Sequence, residues 1–559
     1  MDTAAVEQIL TETSRLLKSQ GASAALTYCE TQFRQNGGDA RLLQPMAQLY
    51  GAVGNFETAI SILDNLVRAN PAVAAFQLQL HETRQRQHLA QHHGGAADYP
   101  TVSALETDIE AALARGDFDY ALWAISRLSH KLVKANGMGA PDPSNDTQLD
   151  QLCLRIGSAF AAARGHAPMA GDPAGPVVYL ATALHEYGGH SRVVIDYIRR
   201  QPDRRHVIML TGMNIRLQPE LLRPMLDTYL SGIDYGLLPA PPGRFDGVMR
   251  WLFEQLSALR PSAVFLFQHP HDAIALTPIP LLQQSEIYFN HHVDTSFCLG
   301  ATLKLTGHID QTPVVYNTLC RDTPGLDPVF VPMTVPDPGV RDPATFGTRG
   351  PLRTGVCGSY NKFMDQDYAF RYAEVLPVLL GHTGGEHVHI GTLPDDYLAT
   401  ITANLQRQGI APERFRYVPH VVNLARALDE FAIDLYLTSF PVGGGKAAIE
   451  AMASGTPVLC HQNYKSRTAG AVIDMVYPEA PAWHDLDSLA AALQAATPAV
   501  LQQQSRLSRA YFEAHHAVAV VEGAWRDGRP VGLPVAPLRP YRLNAVQRML
   551  DRFSQPGRT

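Results

Sequence analysis

From Pro176 onward the sequence alternates short apolar, β-branched runs with helical windows, and it does so twice. The runs at 177–181, 206–210, 263–268, 286–290 and 313–316 read as a first set of strands. A Pro-rich passage at 322–351 interrupts the rhythm, which restarts at 352–357, 387–390, 415–418, 435–437 and 457–460. Strands separated by helices pair in parallel, because each helix carries the chain back to start the next strand in the same direction. The pattern predicts two doubly wound α/β domains joined near residue 340. In such sheets ligands bind beyond the carboxyl ends of the strands, so two facing domains enclose a cleft.

The preceding part has a different texture. Residues 1–85 carry helical periodicity with almost no strand signal. From 40 to 70 they follow a helix–turn–helix unit. Leu43, Met46, Ala47 and Tyr50 share one face, Gly54-Asn55-Phe56 makes the turn, Ala59, Leu63 and Leu66 face inward from the second helix, and Pro71 stops it. The unit resembles a tetratricopeptide repeat, whose small residues let paired helices approach closely. A partial copy runs through Gly116-Asp117-Phe118, Ala121, Ile125 and Leu128, and a half-copy surrounds Gly21 and Ala25. The stretch 87–100, with His88, His92 and His93, reads as a polar surface connection rather than a metal site, and 136–145 closes the helical part.

Composition narrows the class. A length of 559 residues leaves room for several cores, and 46% hydrophobic with 18% charged residues excludes a disordered chain. No run of about eighteen apolar residues offers a membrane span. Lys and Arg number 46 against 53 Asp and Glu, a net charge of −7 without a basic stripe, which argues against nucleic acid as a partner. The six cysteines lie far apart without a CxxC pair, and the start, MDTAAVEQIL, lacks the order of a signal peptide. A reducing, cytoplasmic location is expected.

The segment with the most chemistry is IDLYLTSFPVGGGKAAIEAMASGTPVLC, residues 433–460. A strand runs into Gly443-Gly444-Gly445, a helix follows from about Lys446 to Ser454, and Gly455 ends it before the next strand. Glycines at a helix N-terminus expose N–H groups to phosphate oxygens. Lys446, in the first turn, opposes the positive end of the helix dipole, a conflict that a nearby anion removes. The alternatives are a merely tight strand–helix turn and a Lys446–Glu450 pair, the latter contributing about 0.2–0.5 kcal/mol at best. Glu450 reads either as an acceptor for ribose or sugar hydroxyls or as a solvated helix residue.

IEAMASGTPVL is similar to the donor-binding helix of GT-B glycosyltransferases of family 4, in which an acid at the equivalent of Glu450 contacts the sugar nucleotide. That pattern's upstream acid falls at Val442, so the two-glutamate motif is absent. DLYLTSFPVGGGKAAIEAM also resembles family 41, the protein O-GlcNAc transferases and bacterial adhesin N-glycosyltransferases, which join helical repeats to a GT-B core. The resemblance covers about residues 176–530, with the C-terminal segment its specific part.

It implies a GT-B architecture of two facing doubly wound domains preceded by an all-α repeat domain. The expected divisions are 1–150 helical, 171–340 on the acceptor side and 341–559 on the nucleotide-sugar side with terminal helices. It also implies a donor-diphosphate contact for Lys362, in the loop after the first C-domain strand, whose alternative is a surface lysine. His420, after the strand at 415–418, reads as a secondary nucleotide contact or else as an ordinary loop histidine. In the N-domain, Gly188-Gly189 resembles the family 4 glycine-rich loop, with Ser191 expected to cap a helix starting near Arg192 and His190 projecting to the acceptor side. Tyr288 through Asp294 ends another strand and places His291 and His292 beside Asp294, the parts of a general base with a held tautomer, or else a hydrogen-bonded loop.

Asp365-Gln366-Asp367 spells a metal-holding DxD but lies in a helical window, and no HExxH, GxSxG, Walker A or zinc-type CxxC spacing occurs. No metal ligand is assigned. The expected activity is transfer from a nucleotide sugar, a UDP-sugar, without metal or further cofactor, to a protein or peptide recruited by the helical repeats. The rival readings are a family-4-like transferase building polysaccharide or glycolipid, and a repeat scaffold whose GT-B core has lost turnover.

Overall fold

The computed structural model describes residues 1–71, 73–137, 145–186, 188–292, 296–364, 368–541 and 543. The chain begins with α1 (Thr3–Gln20), α2 (Ala22–Gln35), α3 (Leu43–Ala52), α4 (Phe56–Ala69), α5 (Ala74–His92), α6 (Val102–Ala114), α7 (Phe118–Gly137) and α8 (Thr147–Arg164). Consecutive helices pack as hairpins, among them α1 on α2, α3 on α4 and α6 on α7. These three each turn at a glycine with positive φ, Gly21 at 88°, Gly54 at 84° and Gly116 at 70°, a conformation costly for any residue with a Cβ. Asn55 caps α4 by accepting from Thr58 N. α3 packs both ways: Met46 and Leu49 join α1 and α2, while Ala47 meets Leu63 and Leu66 of α4.

The surface connection expected from residue 87 is helical as far as His92, with His88 and Leu89 buried. Gln, Leu and Ala sustain the helix through a polar composition, and it ends where Gly94 and Gly95 take positive φ. The helical part shares one core with the first sheet, in which Phe118, Trp123, Leu149, Ile156 and Phe160 pack with Val178, Met209 and Phe289. α8 is the seam. Asp150 is fully buried and accepts from Gly300 N at 2.6 Å, Thr302 N at 2.9 Å and Thr302 Oγ1 at 2.6 Å. A Cβ on Gly157 would lie 1.9 Å from Thr277 O, so only glycine allows the approach. A division at 150 passes through the first turn of this helix.

The first sheet holds β1 (Val177–Ala181), β2 (His206–Leu210), β3 (Tyr235–Pro239), β4 (Ala263–Phe267), β5 (Glu286–His291), β6 (Gly307–Asp310) and β7 (Pro328–Phe330), all parallel, in the order β3-β2-β1-β4-β5-β6-β7. Helix α9 (Gly189–Arg199) follows β1. Edge strand β3 escaped the sequence pattern because only Leu237 of it is buried. The strand expected at 313–316 is instead helical: Thr312 is extended, Pro313 takes the first helical position, and a π turn follows over Tyr316–Cys320. Proline's fixed φ suits that position and outweighs the β-branched Val314 and Val315. The strand there is β6, which turns His308 and Asp310 to one buried face and Ile309 to the other.

The second sheet holds β8 (Leu352–Cys357), β9 (Gly384–Ile390), β10 (Phe415–Val418), β11 (Leu435–Leu437), β12 (Val458–His461) and β13 (Ala482–Trp483), parallel, in the order β10-β9-β8-β11-β12-β13. Its two faces close over separate apolar clusters built from its own helices. The chain then returns to the first domain, where Trp525 packs on Tyr197 at 4.7 Å, Arg529 pairs with Glu286, and Leu533 N donates to Phe330 O at 2.8 Å. The architecture is GT-B, two facing doubly wound domains preceded by an all-α domain. Among the described residues no helix is long and apolar enough to cross a membrane.

Candidate active site

On the C-domain side β11 leads into Gly443-Gly444-Gly445 and α10 (Gly445–Ala453). None of the three glycines has left-handed φ, and close packing explains two of them. A Cβ at 443 would lie 2.7 Å from Val472 Cγ1, and one at 445 would lie 2.9 Å from both Met333 Cε and Met475 Cε. Gly444 supplies no side-chain cap to α10, so its first-turn N–H groups are left for another acceptor.

Lys446 does not pair with Glu450. Its Nζ donates to Asp196 Oδ2 at 2.8 Å, reaching across the cleft to α9 of the other domain. Glu450 Oε2 accepts instead from Leu424 N at 3.2 Å. Burial pushes the Glu450 carboxyl up, opposed by the nearby charges of Lys446 and Arg192. Lys362 stands in the turn Tyr360–Lys362 beyond β8, and its Nζ donates to Gly443 O at 3.2 Å while Val442 N donates to Lys362 O at 3.3 Å. Lys362 therefore braces the loop that leads into Lys446. His420 is exposed two residues beyond edge strand β10, in a loop that returns to the site at Leu424.

On the N-domain side α9 starts at Gly189, earlier than the sequence suggests, with Gly188 at φ 142° as its cap residue. Ser191 is not the cap. Its Oγ accepts from His185 N at 2.9 Å and donates to His185 O at 2.7 Å, closing the loop on itself. Gly189, Arg192 and Asp196 share one face of α9 by helical spacing. A Cβ on Gly189 would lie 3.6 Å from Lys446 Cβ, so the glycine-rich turn rests on the lysine stem. The Arg192 guanidinium stacks 3.7 Å over the Tyr229 ring, and its Nη1 is buried without a hydrogen-bond partner.

His190 and His292 meet beside this turn, their rings parallel within 5° and 3.9 Å apart. His269, beyond β4, is 5.8 Å from His190. Burial and the neighbouring His292 and His269 hold His190 neutral far below the usual imidazole range. Burial and His269 lower His292 to about 3. His190 Nε2 is buried and lacks a partner, whereas His292 Nδ1 lies 3.4 Å from Asn290 O. His291 points to the opposite side of β5, as alternation along a strand requires, and leaves this pair. Asp294, and the DxD at 365–367, lie outside the described residues.

Sequence reasoning did not single out Asp196, Arg192, His269 or Asp272. Asp272 Oδ2 accepts from Thr182 at 2.6 Å and Thr211 at 2.5 Å, and His269 N donates to Thr182 Oγ1 at 2.7 Å. This network ties together the carboxyl ends of β1, β2 and β4. The signal was Gln268-His269-Pro270-His271-Asp272 directly after a strand, the place where an open sheet binds ligands.

No protein-family model matches the chain, and the curated proteins give no match. Among solved structures, an O-GlcNAc transferase mutant from Thermobaculum terrenum is similar over 93% of this chain and 96% of its own, at 13% identity and TM-score 0.43. Anabaena HepE in complex with UDP and glucose is similar over 62% of this chain and 97% of its own, at 12% identity and TM-score 0.48. Sucrose-phosphate synthase from Thermosynechococcus elongatus is similar over 62% and 96%, at 14% identity and TM-score 0.45.

Proposed function

We propose that this protein is a glycosyltransferase that moves a sugar from a nucleotide sugar, a UDP-sugar, to a protein side chain. The observation that carries the reading is the position of Lys446. It sits at the uncapped N-terminus of α10, just after the Gly443 carbonyl that Lys362 holds and against Gly189 of the facing domain, and the anion now holding it is a carboxylate of the protein itself. A donor diphosphate fits the same requirement. It displaces Asp196 and takes up the α10 N–H groups, Lys446 and the unpartnered Arg192 Nη1, so that negative charge developing on the leaving group meets donors already in place. Glu450 and His420 then face the nucleoside and sugar.

His190 is the proposed base. An imidazole kept neutral by burial accepts the acceptor's proton through its unpartnered Nε2, and His292 fixes the ring plane by stacking. The helical hairpins, which resemble peptide-binding repeats, support a protein acceptor. Calorimetry with UDP and other nucleoside diphosphates, followed by mass spectrometry of candidate protein acceptors with the matching nucleotide sugars, tests the reading. UDP binding that is lost with Lys446→Ala supports it, and no nucleotide binding at all overturns it. Binding without transfer to any acceptor favours the scaffold reading, to which Val442 lends support by standing where the family 4 pattern has an acid.

A further inference from the structure

His291, which turns away from the stacked rings, enters a second group of side chains. β5 and β6 are neighbours in register, with His291 opposite Asp310 and Phe289 opposite His308. His291, His308 and Asp310 thus lie on one face of the sheet, and Cys320 reaches them from the end of the π turn. All four residues are 0–1% exposed. Cys320 Sγ is 3.5 Å from His291 Nδ1 and 3.4 Å from His308 Nε2, and Asp310 Oδ1 is 3.4 Å and 3.3 Å from the same two nitrogens. The four ligand atoms all lie within 4.8 Å of one another.

We propose that His291, His308, Asp310 and Cys320 form a closed tetrahedral site for one structural divalent transition-metal ion, zinc by preference. Bonds of about 2.0–2.3 Å to N, O and S at tetrahedral angles place ligand atoms about 3.3–3.7 Å apart, the spacing of the four contacts above. Hydrogen bonding alone leaves this group unsatisfied. One thiol proton serves only one of the two nitrogens that the sulfur touches, and neither oxygen of Asp310 has a hydrogen-bond partner. A buried carboxylate without partners is costly, and coordination is one of the few ways a protein interior accommodates it. Thiolate and carboxylate together balance a 2+ ion, and a mixed sulfur and imidazole set favours zinc over magnesium or calcium.

Four protein ligands leave no open coordination position, so the ion acts on structure and not on substrate. It ties β5, β6 and the helical turn at 313–320 into one unit. His292, the stacking partner of His190, is the next residue after His291, so the ion anchors the strand end that shapes the candidate active site. Sequence reading named no metal because the ligands are spread over two strands and a turn, with none of the short spacings of zinc motifs.

The test is metal analysis of the purified full chain, followed by cobalt substitution. About one zinc per chain is expected, and a chelator-stripped chain should take up Co²⁺ with visible bands of a tetrahedral ion and a near-ultraviolet thiolate-to-cobalt band. Cys320→Ser should remove the thiolate band, and His308→Ala should abolish stoichiometric binding. If either variant fails to fold, the wild-type cobalt spectrum still decides. A wild-type chain that neither retains zinc nor gives these bands overturns the site, as does a thiolate band that persists in Cys320→Ser.

Discussion

The two α/β domains have the same strand order through six strands yet bring opposite chemistry to the cleft. The C-domain offers an uncapped helix end and the ammonium groups of Lys446 and Lys362. The N-domain offers stacked imidazoles and the carboxylate of Asp196. Their supports differ as well, since the first sheet shares its core with α7 and α8, whereas the second is closed by its own helices. The topology places both sets of loops at carboxyl strand ends, and in the proposed reading the side chains there divide the work: one domain to receive an anion, the other to move a proton.

Removing the base should have the largest effect. His190→Ala should lower transfer by about 10²–10⁴-fold with UDP affinity nearly unchanged. Because burial keeps His190 deprotonated well below the usual imidazole range, the wild-type kcat/KM should stay flat as pH falls through about 6.5, where an ordinary histidine would lose its base form. His292→Ala, which removes the stacked ring, should show a smaller loss in the same direction. Normal turnover in both variants would move the proton acceptor elsewhere and remove the division of labour.

The ion pair across the cleft comes next. Lys446→Ala should weaken UDP binding by about 1.5–3 kcal/mol, the range for hydrogen bonds to charged groups. Asp196→Asn should act in the opposite sense, tightening UDP binding by releasing Lys446 from its internal partner. Calorimetry on the two variants reads both signs, and a weakening in each would mean that Asp196 orders the lysine and does not compete with the donor.

Much of this was legible in advance. The strands at 177–181, 206–210, 352–357, 415–418 and 435–437 were readable as short stretches rich in apolar, aromatic or β-branched residues set between helical windows. The C-domain loop was readable because a strand, a run of glycines and a lysine at a helix start leave a local pattern in the sequence. The N-domain pair was less so: His190 and His292 are 102 positions apart, and nothing local announces that their rings stack. Asp196 was invisible for a related reason, since a carboxylate in mid-helix gains meaning only from the domain opposite. β6 was missed because His308 and Asp310 break the apolar alternation that marks a strand.

Acid should destabilise both domains. Burial holds His387 and His461 at about 3 and His389 and His516 at about 4 in the C-domain, and in the N-domain His292 at about 3, His269 at about 4 and His190 well below the usual imidazole range. The unfolded chain takes up these protons first, near pH 6.5, so the stability is fully present above about pH 6.5 and is lost as pH falls toward the folded values. Each group removes up to about 1.4 kcal/mol per pH unit in that window. Urea unfolding at pH 7 and pH 5 should show falling midpoints. A midpoint independent of pH over this range would show that the imidazoles are accessible in the folded chain.

The smallest effect separates support from contact. Lys362 holds the Gly443 carbonyl at 3.2 Å, so a purely supporting role predicts that Lys362→Ala loosens the loop by about 0.5–1.5 kcal/mol and weakens UDP binding only a few-fold. A role in binding the diphosphate predicts more, because Lys446 and Lys362 would then face one anion. The double variant with Lys446→Ala distinguishes the two. Losses that add within about 0.3–0.5 kcal/mol mean that the lysines act independently, one on the ligand and one on the loop. A coupling beyond that means a shared anion, since removing either lysine lets the ligand shift toward the other and changes the value of the one that remains. Additivity would leave the C-domain with a single cationic contact and narrow its contrast with the N-domain to Lys446 and the end of α10.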